Sequence, residues 1–393
     1  MNVLIVSHLW PRADFPHLGI FVADQAAELA RYCTISVVAP VDLTHRSEEI
    51  GLRELLAGRP KYCARSKPEF IQVGQIKPQV VTFRAAPFRQ ALALATAKNL
   101  AQSLEAVDLS SVDLVHAHTL FPDGLACSHW LKNKNVPLVV TAHGSDVHSM
   151  PAGVQKALPH ILQRADHLIA VSRALADRLL ALGANPQKIS VLPNGFAPEL
   201  FDLKTRAVRD PNKIVFLGRL GAVKRVDLLI QALSHLPEKI RLDIGGDGAE
   251  RGRLESIVGS LKLKPRVRFF GTLARADVPP FLAGAALMCM VSQKEGWPTV
   301  IFESLACGTP ILATAVGGIP EALDDPNLGT LITPDISPEK LAVQIEAALD
   351  RRWDHAAIRR HALNYSWQAL GARIYELYKK LIIGTPASKS GLA

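Results

Sequence analysis

Short apolar runs rich in β-branched residues alternate with amphipathic stretches along almost the whole chain. One series of runs begins at Val3, Thr34, Val81, Leu114, Leu138, His167 and Ile189, and a second at Lys213, Ile240, Val267, Ala286, Ile311 and Leu328. Between them lie segments such as IFVADQAAELA, from Ile20, whose apolar residues recur at the three- and four-residue spacing of a helix face. Strands separated by helices in this way predict an α/β chain of parallel sheets covered on both faces. Two doubly wound sheets follow in tandem, and a polar, proline-containing stretch over residues 196–212 reads as the connection between them. The expected division is residues 1–197 for the first domain and 198–365 for the second. Residues 366–393 would form a C-terminal helix, packing back on the first domain, and a small-residue tail.

Length and composition agree with that division. A chain of 393 residues is too long for one ordinary core, and 48% hydrophobic with 21% charged residues is the balance of a globular protein. The opening residues read as a strand rather than a leader, and no apolar run approaches the roughly 18 to 20 residues of a membrane-spanning helix. Five widely spaced cysteines, Cys33, Cys63, Cys127, Cys289 and Cys307, suggest neither a disulfide framework nor a zinc ribbon, and suit a cytoplasmic location as buried thiols.

The net charge of +9 points to an acidic partner. Its distribution narrows the choice, because residues 51–100 hold nine basic side chains (Arg53, Arg59, Lys61, Arg65, Lys67, Lys77, Arg84, Arg89, Lys98) against Glu54 and Glu69. Interleaved with Leu52, Leu55, Leu56, Phe70 and Phe88, this stretch reads either as an anionic-membrane contact on the inner face of the cell membrane or as a solvated insertion. No aromatic-basic motif supports nucleic acid as the partner.

Open sheets of this class bind ligands beyond the carboxyl ends of their strands, so two in tandem are expected to face a cleft with their chemistry on the loops after strands. The most informative such loop opens KEGWPTVIFESLACGTPILAT, residues 294–314. It passes through Gly296 and Pro298 into a short helix, aiming backbone N–H groups and a positive dipole end at whatever binds there. It also supplies two carboxylates, Glu295 and Glu303, the acceptors that vicinal sugar or ribose hydroxyls require.

Further candidates cluster after other strands. Gly218 and Arg219 follow the first strand of the second series, with Lys224 close behind, and a guanidinium fork with an ammonium can meet a diphosphate. Gly246-Asp247-Gly248 resembles part of a dinucleotide fingerprint, but Arg251 stands where the third glycine belongs. In the first domain a loop over residues 8–19 replaces the full glycine fingerprint. His116 and His118 alternate on one strand, and His143 and His148 follow the next. Zinc ligation is the weaker reading of these histidines, since no cysteine pair joins them.

Glu295 and Glu303 at this spacing, E-G-W-P at the start, A-C-G-T-P at the end and G-G-I-P-E over residues 317–321 resemble the family 4 retaining glycosyltransferases of GT-B fold, built from two Rossmann-like domains. The bacterial members that make cell-surface polysaccharide or glycolipid are the nearest type. The resemblance implies that Glu295 contacts the transferred sugar, that the backbone of Gly296, Trp297, Pro298 and Thr299 serves sugar and phosphate, and that Glu303 holds the ribose. It implies that Arg219 and Lys224 meet the diphosphate, although the family has Lys-Gly where this chain has Lys224-Arg225. Gly218, Gly246, Gly248, Gly271 and Leu273 would line the nucleotide pocket, and Gly19 stands for the family's Gly-Gly pair on a loop that orders on closure. His143 would sit near the transferred sugar, with His118 and Asp146 on the acceptor side.

The expected activity is retaining transfer from a UDP- or GDP-sugar to a saccharide or lipid-linked acceptor. No D-x-D occurs, so neither a metal nor a cofactor is expected. The donor phosphate itself would take the acceptor's proton, leaving no protein residue as general base. Alternatives are a nucleotide-sugar epimerase, a phosphorylase, or a non-catalytic nucleotide-sugar-binding protein of the same fold.

Overall fold

The computed structural model describes residues 1–44, 68–148, 150–201 and 208–384. The basic residues Arg53, Arg59, Lys61, Arg65 and Lys67, and Cys63, lie outside them. The chain divides into two compact units, one of residues 1–171, 175–192 and 371–393, the other of residues 172–174 and 193–370. The helix Trp367–Gly384 is shared, contributing its residues from Gly371 onward to the first unit.

Among the described residues the first unit holds seven parallel strands: β1 (Asn2–Val6), β2 (Thr34–Asp42), β3 (Gln79–Phe83), β4 (Leu114–His118), β5 (Leu138–Ala142), β6 (His167–Ala170) and β7 (Ile189–Val191). They lie in the order β3-β2-β1-β4-β5-β6-β7. β4, β5 and β6 are buried at every residue, which is why their sequences are near-continuous apolar runs rather than alternating ones.

The described residues of the second unit hold six: β8 (Asp210–Leu217), β9 (Arg241–Gly245), β10 (Val267–Gly271), β11 (Ala285–Met290), β12 (Ile311–Thr314) and β13 (Gly329–Ile332), in the order β10-β9-β8-β11-β12-β13. Each order reverses once, between β1 and β4 in the first sheet and between β8 and β11 in the second. Loops after those two pairs of strands diverge to opposite faces and leave a crevice where ligands bind.

Two details differ from the sequence reading. β8 starts at Asp210, inside the expected connection. Its register to β11 slips between Asp210↔Ala285 and Ile214↔Leu287, which accommodates Pro211, a residue with no N–H for the ladder. The connection also begins on a pinned residue, since the buried Phe196 donates its N–H to Tyr365 O and accepts from Trp367 N–H.

Cys127, Cys289 and Cys307 are buried and Cys33 is partly so. Burial pushes the Cys307 thiol up to about 12 and Cys33 to about 11, and raises Cys127 and Cys289 as well, so all four remain thiols. No helix among the described residues is long and apolar enough to cross a membrane.

Candidate active site

In the second unit the loops after β8 and β11 are tied together. Gln293 N–H donates to Val223 O, and Lys224 Nζ lies 2.5 Å from Glu295 Oε1. Both side chains are largely buried, at 22% and 9% exposure. Arg219, by contrast, is exposed and forms no ion pair among the described residues, leaving its guanidinium available to an anion.

Arg225, in the place where the resemblance expects glycine, adopts φ 52° and ψ 40°. The left-handed turn is thus kept without a glycine, held by the Arg225 guanidinium donating to Pro334 O. Arg225 thus adopts a conformation that glycine takes without strain, next to Lys224.

The glycine-rich turn is held by close backbone neighbours. Gly218 N–H donates to Gly245 O, Leu220 N–H to Asp247 O and Gly246 N–H to Gly271 O. A Cβ on Gly246 would stand 1.9 Å from Gly218 O. This stitching brings Gly218, Gly246, Gly248 and Gly271 side by side, with Leu273 against Gly245. Arg251 bonds Glu255 and covers the Phe269 ring, so no dinucleotide fingerprint forms.

The Glu295-Gly296 backbone after β11 is covered by Gly317 and Gly318 from the loop after β12, with Gly318 N–H donating to Gly296 O. Trp297 is buried, its indole N–H donating to Asn194 O and its ring stacked on Phe302. It therefore braces the loop, and what remains for a ligand is the backbone leading into the helix Thr299–Ala306. That helix has Pro298 as N-cap, no side-chain cap, and Glu303 half-buried on its second turn.

In the first unit His116 and His118 share a face of β4, with ring centroids 4.3 Å apart. His116 bonds Tyr378 Oη through Nδ1 (2.5 Å) and Thr141 Oγ1 through Nε2 (2.7 Å). His118 Nδ1 lies 3.0 Å from His143 Nε2, and its own Nε2 has no hydrogen-bond partner among the described residues. Burial, reinforced by the neighbouring imidazoles, lowers His116 and His143 to about 3 and depresses His118 too. All three are neutral at pH 7. Among the described residues no group of three or more His, Cys, Asp or Glu is arranged to hold a metal ion.

The two residues expected on the acceptor side are held by their neighbours. His118 is wholly buried behind His143. The Asp146 carboxylate accepts the backbone N–H groups of Leu120, His143 and Gly144, at 2.9 to 3.0 Å, and so fixes the loop that carries His143. Gly19 begins the helix Ile20–Leu29 at φ 63°, where a Cβ would stand 2.3 Å from Leu9 O. The loop over residues 8–19 is already anchored, because Trp10 is fully buried and donates its indole N–H to Ile71 O.

Residues 200–365 match the family described as "Glycosyl transferases group 1", and residues 19–200 match "Glycosyltransferase Family 4". Over 295 residues the chain is 31% identical to a D-inositol 3-phosphate glycosyltransferase of Xylanimonas cellulosilytica, spanning 62% of this chain and 70% of that one. This chain is a family 4 glycosyltransferase. A putative teichuronic acid biosynthesis glycosyltransferase of Bacillus subtilis is 28% identical over 345 residues, spanning 81% of this glycosyltransferase and 82% of the relative. The GT-B fold is shared with the Anabaena protein HepE, solved in complex with UDP, at TM-score 0.71 and 20% identity, over 97% of this chain and 100% of that one.

One pair in this glycosyltransferase has no signature in its sequence. His8 follows β1 and Asp123 lies in the turn Leu120–Gly124 after β4, with His8 Nδ1 2.6 Å from Asp123 Oδ2. They are 115 residues apart, and only the adjacency of β1 and β4 brings them together.

Proposed function

We propose that this glycosyltransferase moves a sugar, with retention of anomeric configuration, from a UDP- or GDP-sugar to a saccharide or lipid-linked acceptor in cell-surface polysaccharide or glycolipid synthesis. The observation that carries this reading is the group of charges at the crevice of the second sheet: exposed Arg219, and Lys224 paired with Glu295. Two cations meet a diphosphate leaving group as the glycosidic bond breaks. The two acids, Glu295 and Glu303, accept the hydroxyls of sugar and ribose, and the Gly218, Gly246 and Gly271 backbones carry the nucleotide. With the diphosphate neutralised by side chains, transfer proceeds without a divalent ion. Relatives named for inositol phosphate and teichuronic acid, and a neighbour solved with UDP, support donor and acceptor classes of this kind.

The location proposed is the cytoplasmic face of the membrane, held peripherally. The exposed Phe88 (65%) and Leu92 (47%), flanked in sequence by Arg84, Arg89 and Lys98, suit an anionic surface. Sedimentation with anionic liposomes at low and high salt tests this, and absence of binding at low salt excludes it.

A thermal-shift screen of nucleoside diphosphates and nucleotide sugars tests the donor site, because a ligand that binds only the folded state raises its stability. One nucleoside diphosphate is expected to stabilise the protein, and the product is expected to keep the donor's configuration by NMR with full turnover in excess chelator. No stabilisation by any nucleotide refutes the donor site, an inverted product refutes retention, and a strict metal requirement refutes metal independence.

A further inference from the structure

The helix Arg251–Ser260 of the second unit opens on a cation and has no acid in its first turn, although the dipole of a helix disfavours positive charge there. Glu255, one turn on, accepts from Arg251 Nε at 2.9 Å, and the guanidinium carbon lies 5.5 Å from the centre of the Phe269 ring on β10. These two contacts hold the guanidinium from behind. Its far edge is open, because Nη1 and Nη2 form no hydrogen bond among the described residues, with Asp247 Oδ2 3.5 Å from Nη1. The side chain is 31% exposed.

The open edge lies against the turn of Gly218, Gly246 and Gly271. A Cβ on Gly271 would meet Arg251 Nη1 at 3.5 Å, so this glycine, having no side chain, leaves room directly beside the unbonded N–H groups. Gly271 O accepts from Gly246 N–H, and Arg251 N–H donates to Gly248 O, which joins the guanidinium and the glycine turn into one surface. Gly271 ends β10, two strands from β8, a separation of roughly 10 Å across the sheet. Arg219 and Lys224 follow β8. A nucleotide whose diphosphate they meet therefore reaches Arg251 with its nucleoside, not with its phosphates.

Resting on the donor reading above, we propose that Arg251 contacts the base of the donor nucleotide and selects one that carries a carbonyl oxygen where its counterpart carries an amino group, uracil over cytosine or guanine over adenine. A guanidinium only donates hydrogen bonds, and a carbonyl oxygen only accepts them. O4 of uracil or O6 of guanine accepts from the Nη N–H groups of Arg251. The amino group of cytosine or adenine at that position sets donor against donor and leaves those N–H groups without a partner. A site arranged to hydrogen-bond its ligand rejects the analogue that lacks the bond far more strongly than an apolar pocket rejects a misfit.

The test measures binding of UDP, CDP, GDP and ADP to the full chain by titration calorimetry. In one of the pairs, UDP with CDP or GDP with ADP, the carbonyl base should bind at least about tenfold tighter than its amino counterpart, and the pair in which this holds identifies the base. Arg251→Met keeps an apolar cover on Phe269 and removes the N–H groups. It should weaken the preferred nucleotide about tenfold and its amino counterpart by no more than about twofold, erasing the preference. A merely structural loss would weaken both alike. Wild-type protein that binds a nucleoside diphosphate without this preference, or a preference that survives in Arg251→Met, overturns this proposal alone, and the wild-type comparison decides where the variant does not fold. A wild-type protein that binds none of the four overturns the donor reading and this proposal with it.

Discussion

Lys224 Nζ and Glu295 Oε1 are 2.5 Å apart, so the groups proposed to meet the diphosphate and the sugar are partners of each other. Removing either leaves a largely buried charge alone and removes one donor contact. Lys224→Ala and Glu303→Ala are each expected to lower transfer at least about tenfold, ~1.4 kcal/mol of transition-state stabilisation. Initial rates at low and saturating donor measure this. Unchanged kinetics in both variants would remove the donor-site assignment.

Arg225 allows a cleaner comparison. Its φ of 52° is a conformation that costs an L-residue about 1 kcal/mol more than glycine, and its guanidinium anchors the turn to Pro334 O. Arg225→Ala loses the anchor and keeps the strain, whereas Arg225→Gly loses both. The glycine variant should therefore be the more stable of the two by about 1 kcal/mol, read from denaturant midpoints. Equal stability would show that the turn is not strained.

How much of this was legible depended on how local each feature is. Glu295 and Glu303 fall within one loop and its helix, so residue type and spacing exposed them. The alternation of apolar runs located the thirteen strands of the described residues, and erred chiefly where an end is decided by pairing, as at Asp210. His8 and Asp123 were invisible because their meeting depends on β1 lying beside β4, which no spacing encodes. The backbone bonds that Asp146 accepts from Leu120, His143 and Gly144, and the hold of Asn194 O and the Phe302 ring on Trp297, are likewise set by tertiary packing that no spacing encodes.

Close backbone packing makes Gly317 a test of how the Glu295 loop is held. A Cβ there would lie 1.8 Å from Glu295 O, whereas one on Gly74, at a similar φ of 58°, would meet nothing within 4 Å. Gly74→Ala carries only the left-handed strain, and Gly317→Ala adds an overlap that must displace the loop. Gly317→Ala should cost about 2 kcal/mol more than Gly74→Ala and weaken nucleotide binding, which Gly74→Ala should not. Equal costs would mean that the loop yields freely.

The buried imidazoles give the first unit a pH dependence whose sign follows from their neutrality. His116 and His143 titrate at about 3 in the folded chain, with burial the main cause, against an ordinary value near 6.5. Between those values the unfolded chain binds protons that the folded chain refuses, so stability rises with pH across the window. Above about pH 7 neither state binds them and the contribution is constant. Stability should fall as pH is lowered from about 6.5 toward 3, and His116→Gln, which removes one of these groups, should flatten the slope relative to wild type. Unfolding midpoints at several pH values in that range compare the two proteins. Parallel curves would show that His116 accepts its proton without unfolding, contrary to its burial between Tyr378 and Thr141.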